Sequence, residues 1–124
     1  MDLSKKSIQE KFDLFNDYWS PRIVGESNGQ LIKLAKLKGD FVWHRHENED
    51  EYFQIFKGRL FMEFKDHKEE LEEGDMIIVP KGIEHNPYTV NGEEAWVILF
   101  EPKETLHTGS VEYEKANNNQ QWLE

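Results

Sequence analysis

The sequence predicts an all-β fold, either closed on itself or built from two sheets, on three observations. Turn signals recur at short intervals: Asn28-Gly29, Lys57-Gly58, Asp66-His67, Pro80-Lys81-Gly82 and Asn91-Gly92. Between them, Glu51 to Phe56 and Arg59 to Lys65 alternate with the two-residue period of a strand. The run Trp96-Val97-Ile98-Leu99-Phe100 is apolar throughout, as expected of a central strand buried on both faces. Short strands separated by tight turns belong to barrels and double-sheet folds.

Taken in order, Ser7-Ile8-Gln9-Glu10 has the form of a capping box, and Ile8, Phe12 and Phe15 follow at helical spacing. A short helix over about residues 7–15 is predicted, its apolar side covering the outside of the sheets. Ser20 precedes Pro21 and is pushed out of helical geometry. Arg22 to Glu26 reads as a strand that turns at Asn28-Gly29. Gln30 to Lys38 is ambiguous, since Leu31, Leu34 and Ala35 suit a helix face while Leu31, Ala35 and Leu37 suit a strand face. Bracketed by Gly29 and Gly39, the piece is short, which favours a strand. Glu51, Phe53 and Ile55 then share one face, as do Leu60, Met62 and Phe64. Met76 to Val79 is an apolar strand stopped by the Pro80 turn, and Glu101-Pro102 ends the last strand. The expected layout is one domain with a core over about residues 21–102 and a polar tail over about 103–124. In that tail, Asn117 to Gln121 is expected to be mobile and Trp122 frayed, with docking on a partner subunit as the alternative for Trp122.

Two stretches carry the chemistry. In the first, His44 and His46 stand two positions apart, so a strand would point both the same way. Glu51 lies an odd number of positions further on, but the wholly polar Glu47-Asn48-Glu49-Asp50 between them suits a turn from which Glu51 re-enters on the same side. In the second, His85 follows the Pro80-Lys81-Gly82 turn by three residues. Three histidines and a glutamate form a mixed nitrogen and oxygen set that suits one first-row divalent metal: Fe, Mn, Ni, Cu or Zn. Closed structural zinc sites are usually thiolate-rich. An octahedral ion on four protein ligands keeps two positions for other molecules.

These stretches resemble the two motifs of the cupin superfamily. The first motif, G-x5-H-x-H-x3,4-E-x6-G, is matched by His44, His46, Glu51 and Gly58. The second, G-x5-P-x-G-x2-H-x3-N, is matched by Gly74, Pro80, Gly82 and His85. There are two departures: Gly39 is one residue closer to His44 than the pattern's glycine, and Thr89 stands where the family has asparagine. The resemblance covers roughly the central half of the chain and is strongest for small single-domain bacterial cupins. It implies a small jelly-roll β-barrel with a metal on His44, His46, Glu51 and His85, and it supports the strand reading of Gln30 to Lys38. Phe53, Ile55, Met62 and Thr89 are expected to line the cavity, although plain core is an equal reading for the first three. Trp43 and Arg45 are expected outside, Glu47, Glu49, Asp50 and Glu84 on an acidic rim, and His67 and His107 in surface loops.

Composition narrows the partners. With 25 acidic residues against 15 basic ones among 124, nucleic acid and an anionic membrane surface are excluded as partners, because their phosphates would be repelled. No apolar run approaches transmembrane length, the charged start does not resemble a signal peptide, and there is no cysteine, so the expected address is the cytoplasm. Edge strands predict a homodimer through Ile23, Val24, Ile32 and Leu34. The expected partner is a small molecule, and the expected activity that of a metal-dependent dioxygenase or oxidoreductase. A sugar isomerase or epimerase using the metal as a Lewis acid is the alternative, followed by a non-catalytic binding cupin. No acid or base beyond the ligands is legible near the metal, where Glu51 would serve as a base only by leaving it. That favours oxidation over proton-shuttling isomerisation.

Overall fold

The computed structural model describes residues 2–103 and 121–123. Ser7 does cap a helix: its Oγ accepts from the Glu10 backbone N–H at 3.2 Å. Helix α1 is short, Ile8–Phe12, because the chain turns at Asp13 and leaves Leu14 exposed. Phe15, beyond its end, is still buried beside Phe12. Strands β1 (Arg22–Ser27) and β2 (Gln30–Lys38) form a hairpin through Asn28 and Gly29, both at positive φ (53° and 76°), the backbone such two-residue turns require.

The remaining strands are β3 (Glu51–Gly58), β4 (Leu60–Glu63), β5 (Lys68–Leu71), β6 (Met76–Val79), β7 (Asn86–Tyr88), β8 (Glu94–Pro102) and β9 (Gln121–Trp122). They make a six-stranded sheet, β6-β3-β8-β2-β1-β9, and a three-stranded sheet, β5-β4-β7. All pairings are antiparallel except β1 with β9. The fold is all-β and agrees with a jelly roll. The expected barrel needs one correction: the two sheets are not closed into one another by hydrogen bonds. A single residue, Arg59, lies between β3 and β4. The chain crosses there at Gly58, which has φ 82° and where a Cβ would lie 2.0 Å from the Glu94 carbonyl oxygen. Only glycine fits.

Apolar side chains at alternate positions fill the space between the sheets. Ala35, Leu37, Phe53, Ile55, Val97 and Leu99 come from the large sheet, and Leu60, Met62 and Leu71 from the small one. A second cluster lies on the outer face of the large sheet, where Phe12 stacks on Phe56 and Trp96 and packs with Leu34 and Val24.

Several expectations change. The segment carrying His44 and His46 is not a strand, since His44 makes one isolated bridge and its neighbours form no ladder. Strand β8 is central, between β3 and β2, but it alternates: Ala95, Val97, Leu99 and Glu101 are buried while Phe100 is 40% exposed. The five-residue helix covers only part of the outer face. Of the residues expected at a dimer contact, Val24 and Leu34 are buried beside α1 with Ile32 packed against them, and Ile23 is buried within the chain, so these side chains are already covered. Trp122 is exposed yet not frayed. It pairs with Ile23 in β9, and the Leu123 N–H donates to the Ile23 carbonyl at 2.9 Å. His107 and the Asn117 to Gln120 part of the tail lie outside the described residues. Among the described residues no helix is long and apolar enough to cross a membrane.

Candidate metal centre

Two loops carry three of the four candidate ligands, and backbone bonds hold them against each other. The His44 N–H donates to the His85 carbonyl at 3.0 Å, and the His85 N–H returns the bond to the His44 carbonyl at 2.9 Å. Further along, the Gly82 N–H reaches the His46 carbonyl at 2.8 Å, and the Lys81 N–H reaches Asp50 Oδ1 at 2.9 Å. At the other end the Thr89 N–H donates to the Gly39 carbonyl (3.0 Å), and Thr89 Oγ1 accepts from the Gly39 N–H (2.6 Å). The two departures from the cupin pattern are thus bonded to each other. Thr89 is buried, with its hydroxyl spent on this turn.

The fourth residue, Glu51, opens β3 and points inward in phase with Phe53 and Ile55. One ligand atom from each of His44, His46, Glu51 and His85 lies within 4.8 Å of the others, and all four residues are buried. His44 Nδ1 lies 2.8 Å from the Val42 carbonyl and His85 Nδ1 lies 2.9 Å from the Ile83 carbonyl. A carbonyl only accepts, so each Nδ1 carries a proton, and in the neutral ring each Nε2 keeps its lone pair. Histidine metal ligands are ordinarily oriented in this way.

The inward-facing atoms have no adequate partners. Glu51 Oε1 lies 3.1 Å from His46 Nε2 and 3.4 Å from His85 Nε2, yet none of the three has a well-aligned hydrogen bond. The His85 lone pair facing that carboxylate oxygen is repulsive unless a cation lies between them, and His46, whose Nδ1 has no partner either, is free to present its Nε2 lone pair to the same ion. Ligands about 2.1 Å from a common ion, at right angles, are themselves about 3 Å apart, close to these separations. The residues therefore fit a divalent metal.

Electrostatics agree. Burial, followed by repulsion from His85, lowers the His44 pKa to about 4, so that ring is neutral and ready to bind. Burial also disfavours charged His46, but the Glu51 carboxylate outweighs it and raises the His46 pKa. Burial would raise the Glu51 pKa, and the two facing histidines reverse this and hold it well below the usual carboxylate range.

Beside His44 and Glu51 lies a cavity of about 30 Å³, walled by Trp19, Leu37, Phe41, Phe53, Val97 and Leu99 among others. Of the residues expected there, Phe53 is on the wall, while Ile55 and Met62 sit in the core away from it. Trp19 was not legible as a wall residue. It holds φ at 57°, uncommon for a bulky side chain, and is fixed by stacking on Phe41 at 4.4 Å and by donating from Nε1 to the Lys38 carbonyl at 3.0 Å. The second oversight matters more. Lys33 and Glu101 form an interior ion pair at 2.7 Å. Burial, followed by the nearby Glu51 charge, raises the Glu101 pKa against the opposing effect of Lys33. Both residues fall in phase with interior positions of their strands, and that alternation was the available signal. Trp43 packs under the Lys65 ammonium, 4.2 Å from its ring centre, and Arg45 pairs with Glu47 and Glu84 at the surface.

The Cupin_2 family, described as a cupin domain, matches residues 31–101, more than half of the chain. This chain is a cupin. A cupin-2 domain containing protein from Shewanella frigidimarina NCIMB 400 superposes with a TM-score of 0.76 at 41% identity, over 79% of this chain and 94% of that one. Protein NMB1881 from Neisseria meningitidis superposes with a TM-score of 0.71 at 28% identity, over 81% of this cupin and 100% of that chain. The uncharacterized protein YdbB of Bacillus subtilis (strain 168) is 35% identical over 63 residues, which span 50% of this chain and 56% of that protein. The match thus spans little more than half the length of this curated relative.

Two predictions follow from the geometry. A divalent metal at one hundred times its dissociation constant stabilises a native-only site by about 2.7 kcal/mol, on the order of 10 °C in Tm for a domain of this size. Chelator should remove that shift, and His46→Ala should abolish it. A melting curve unmoved by chelator, with no metal found by elemental analysis, contradicts the site. The second concerns pH. Protons and metal compete for the same lone pairs, and His46, with its raised pKa, takes a proton first as pH falls. Occupancy at limiting Zn(II) should therefore decline from above the ordinary imidazole pKa of about 6.5. Flat occupancy from pH 8 to pH 5 would contradict it.

Proposed function

We propose that this cupin holds one divalent transition metal on His44, His46, Glu51 and His85 and acts on a small molecule, with oxidoreductase chemistry of the dioxygenase kind as the first reading. The observation that carries it is the convergence of unpartnered, buried ligand atoms within 4.8 Å beside an apolar cavity. When bound, such a metal supplies Lewis acidity and, for a redox-active ion, electron transfer to dioxygen. The chain's own residues do the rest. The Val42 and Ile83 carbonyls fix the ring orientation of His44 and His85. Trp19, Phe41 and Phe53 exclude bulk water from the cavity. Its volume suits a guest of about the size of one water molecule.

A second reading, proton transfer with the metal as Lewis acid, as in a sugar isomerase or epimerase, gains from Glu101. A buried carboxylate outside the ligand set is the kind of group that isomerisation requires and that the sequence had not revealed.

We also propose that two copies of the chain pair. Helix α1 leaves one end of the outer face of β6, β3 and β8 uncovered, where an apolar row runs from Ile78 (54% exposed) across Tyr52 to Phe100 (40% exposed). A second copy meeting this row about a two-fold axis would cover the same row on both partners.

Oxygen uptake tests the first reading. Fe(II) is loaded anaerobically and a panel of diketones, enediols and catechols is screened against a Glu51→Ala control. Uptake by the wild type alone is expected. No uptake, with sugars isomerised by the Mn(II) or Zn(II) form, replaces the first reading with the second. Pairing is tested by sedimentation at micromolar concentration: a dimer that Ile78→Glu converts to monomer is expected, and a monomeric wild type refutes it.

A further inference from the structure

The cavity beside His44 and Glu51 is bounded by walls of two kinds. Ala35, Leu37, Phe53, Val97 and Leu99 stand on β2, β3 and β8, each of which is paired to a neighbouring strand on both sides. Trp19 belongs to no strand. It comes from the irregular stretch between α1 and β1, in which Asn16, Asp17 and Tyr18 are exposed while Trp19 itself is buried. A surface segment thus sends one large ring into the interior.

The pairing of β1 with β2 begins at Arg22 and Leu34, and Trp19 takes the place that β1 leaves beside the rest of β2. Its backbone N–H donates to the Lys36 carbonyl at 2.9 Å and its ring N–H to the Lys38 carbonyl at 3.0 Å. The indole lies flat on Phe41 with ring centres 4.4 Å apart, and Phe41 in turn meets the His44 ring edge to face at 5.5 Å. A continuous stack therefore runs from the surface segment to a candidate ligand. Trp19 holds φ at 57°, a region that bulky side chains rarely adopt and that concentrates at ligand clamps and switch segments. What the strained backbone gains is the position of the ring against Phe41 and the cavity.

We propose that Trp19 is the specificity-determining residue of this site: as it stands it admits a guest of water size, and a larger guest binds only by displacing its ring. This rests on the metal reading above and adds how the site sorts its guests. The cavity of about 30 Å³ holds about one water molecule, so an organic guest needs a wall to yield. The strand walls retreat only by breaking ladders on both sides. Trp19 retreats by giving up two hydrogen bonds and the stack on Phe41, and it sheds its strained backbone in doing so. Taking a buried indole out of the core is still costly, and each larger guest has to offset that cost with contacts of its own.

The test titrates the Co(II)-loaded protein with two probes of different girth, the thin rod azide and the ring imidazole. Binding is followed by visible absorption, and metal content is measured before and after. Trp19→Ala is expected to lower the Kd of imidazole at least tenfold and to change that of azide much less. A metal site that was merely loosened would shift both probes together, so the ratio reads size selection. Trp19→Phe is expected to fall between wild type and Trp19→Ala, and it serves alone if the alanine variant does not fold. Displacement is read in the Zn(II) form carrying Trp43→Phe, Trp96→Phe and Trp122→Phe, which leaves Trp19 alone of the four tryptophans. Saturating imidazole is expected to shift its emission to the red and open it to acrylamide. A ratio unchanged by the substitutions, or imidazole bound with Trp19 still emitting as a buried ring, overturns the inference and leaves the metal centre standing. Protein that takes up no metal overturns both.

Discussion

The reciprocal pair of backbone bonds between His44 and His85 is the constraint on which the site depends. Neither residue belongs to a regular strand, so no ladder would otherwise hold the two loops in register. The bridge supplies that register at the ligands themselves. The bonds at Gly39 and Thr89 on one side, and at Gly82 and Lys81 on the other, keep the loops from pivoting about it. Glu51 is delivered separately, by the first residue of β3, whose pairing with β6 and β8 fixes its phase. Pinned loops and a rigid strand bring together four side chains drawn from three places in the chain.

That convergence is costly without a cation. An ionised Glu51 buried against two imidazoles is satisfied by a proton on a facing ring nitrogen or by a metal between them, and the carbonyl bonds at Nδ1 turn the Nε2 lone pairs of His44 and His85 inward. Proton and metal are thus alternative solutions to one electrostatic problem. His44, buried and repelled by its neighbours, is the ring that resists the proton most.

Much of this was legible in the sequence, and the failures have physical causes. Ligand spacing, glycine and proline turns and strand alternation all act locally, and they indicated the four candidate ligands, the β1–β2 hairpin and the strand character of β2. Strand β5, Lys-Glu-Glu-Leu, carries almost no apolar signal because it is an exposed edge. Strand β7 holds Pro87, which reads against a strand but is tolerated at the edge of a sheet. Strand β9 exists only through pairing with a segment about one hundred residues away in sequence, beyond any local pattern. The apolar run in β8 misled, because composition does not say what covers the outer face, and α1 reaches Trp96 but leaves Phe100 exposed.

Lys33 and Glu101 mark where the two kinds of information part. Each reads locally as an ordinary solvated charge near a strand end. Alternation alone puts both in phase with inward positions, but only the pairing of β8 with β3 sets Glu101 across from a candidate ligand. A four-ligand set of this kind admits oxidation, Lewis-acid proton transfer and simple binding alike, so it does not discriminate among them. Discrimination has to come from groups that face the metal position without ligating it. Among the described residues, Trp19, Phe41 and Phe53 wall the cavity beside the candidate ligands, and the buried Lys33–Glu101 pair lies next to Glu51 by strand register. A substitution on the wall would change what fits, whereas a substitution in the pair would change the charge buried beside Glu51.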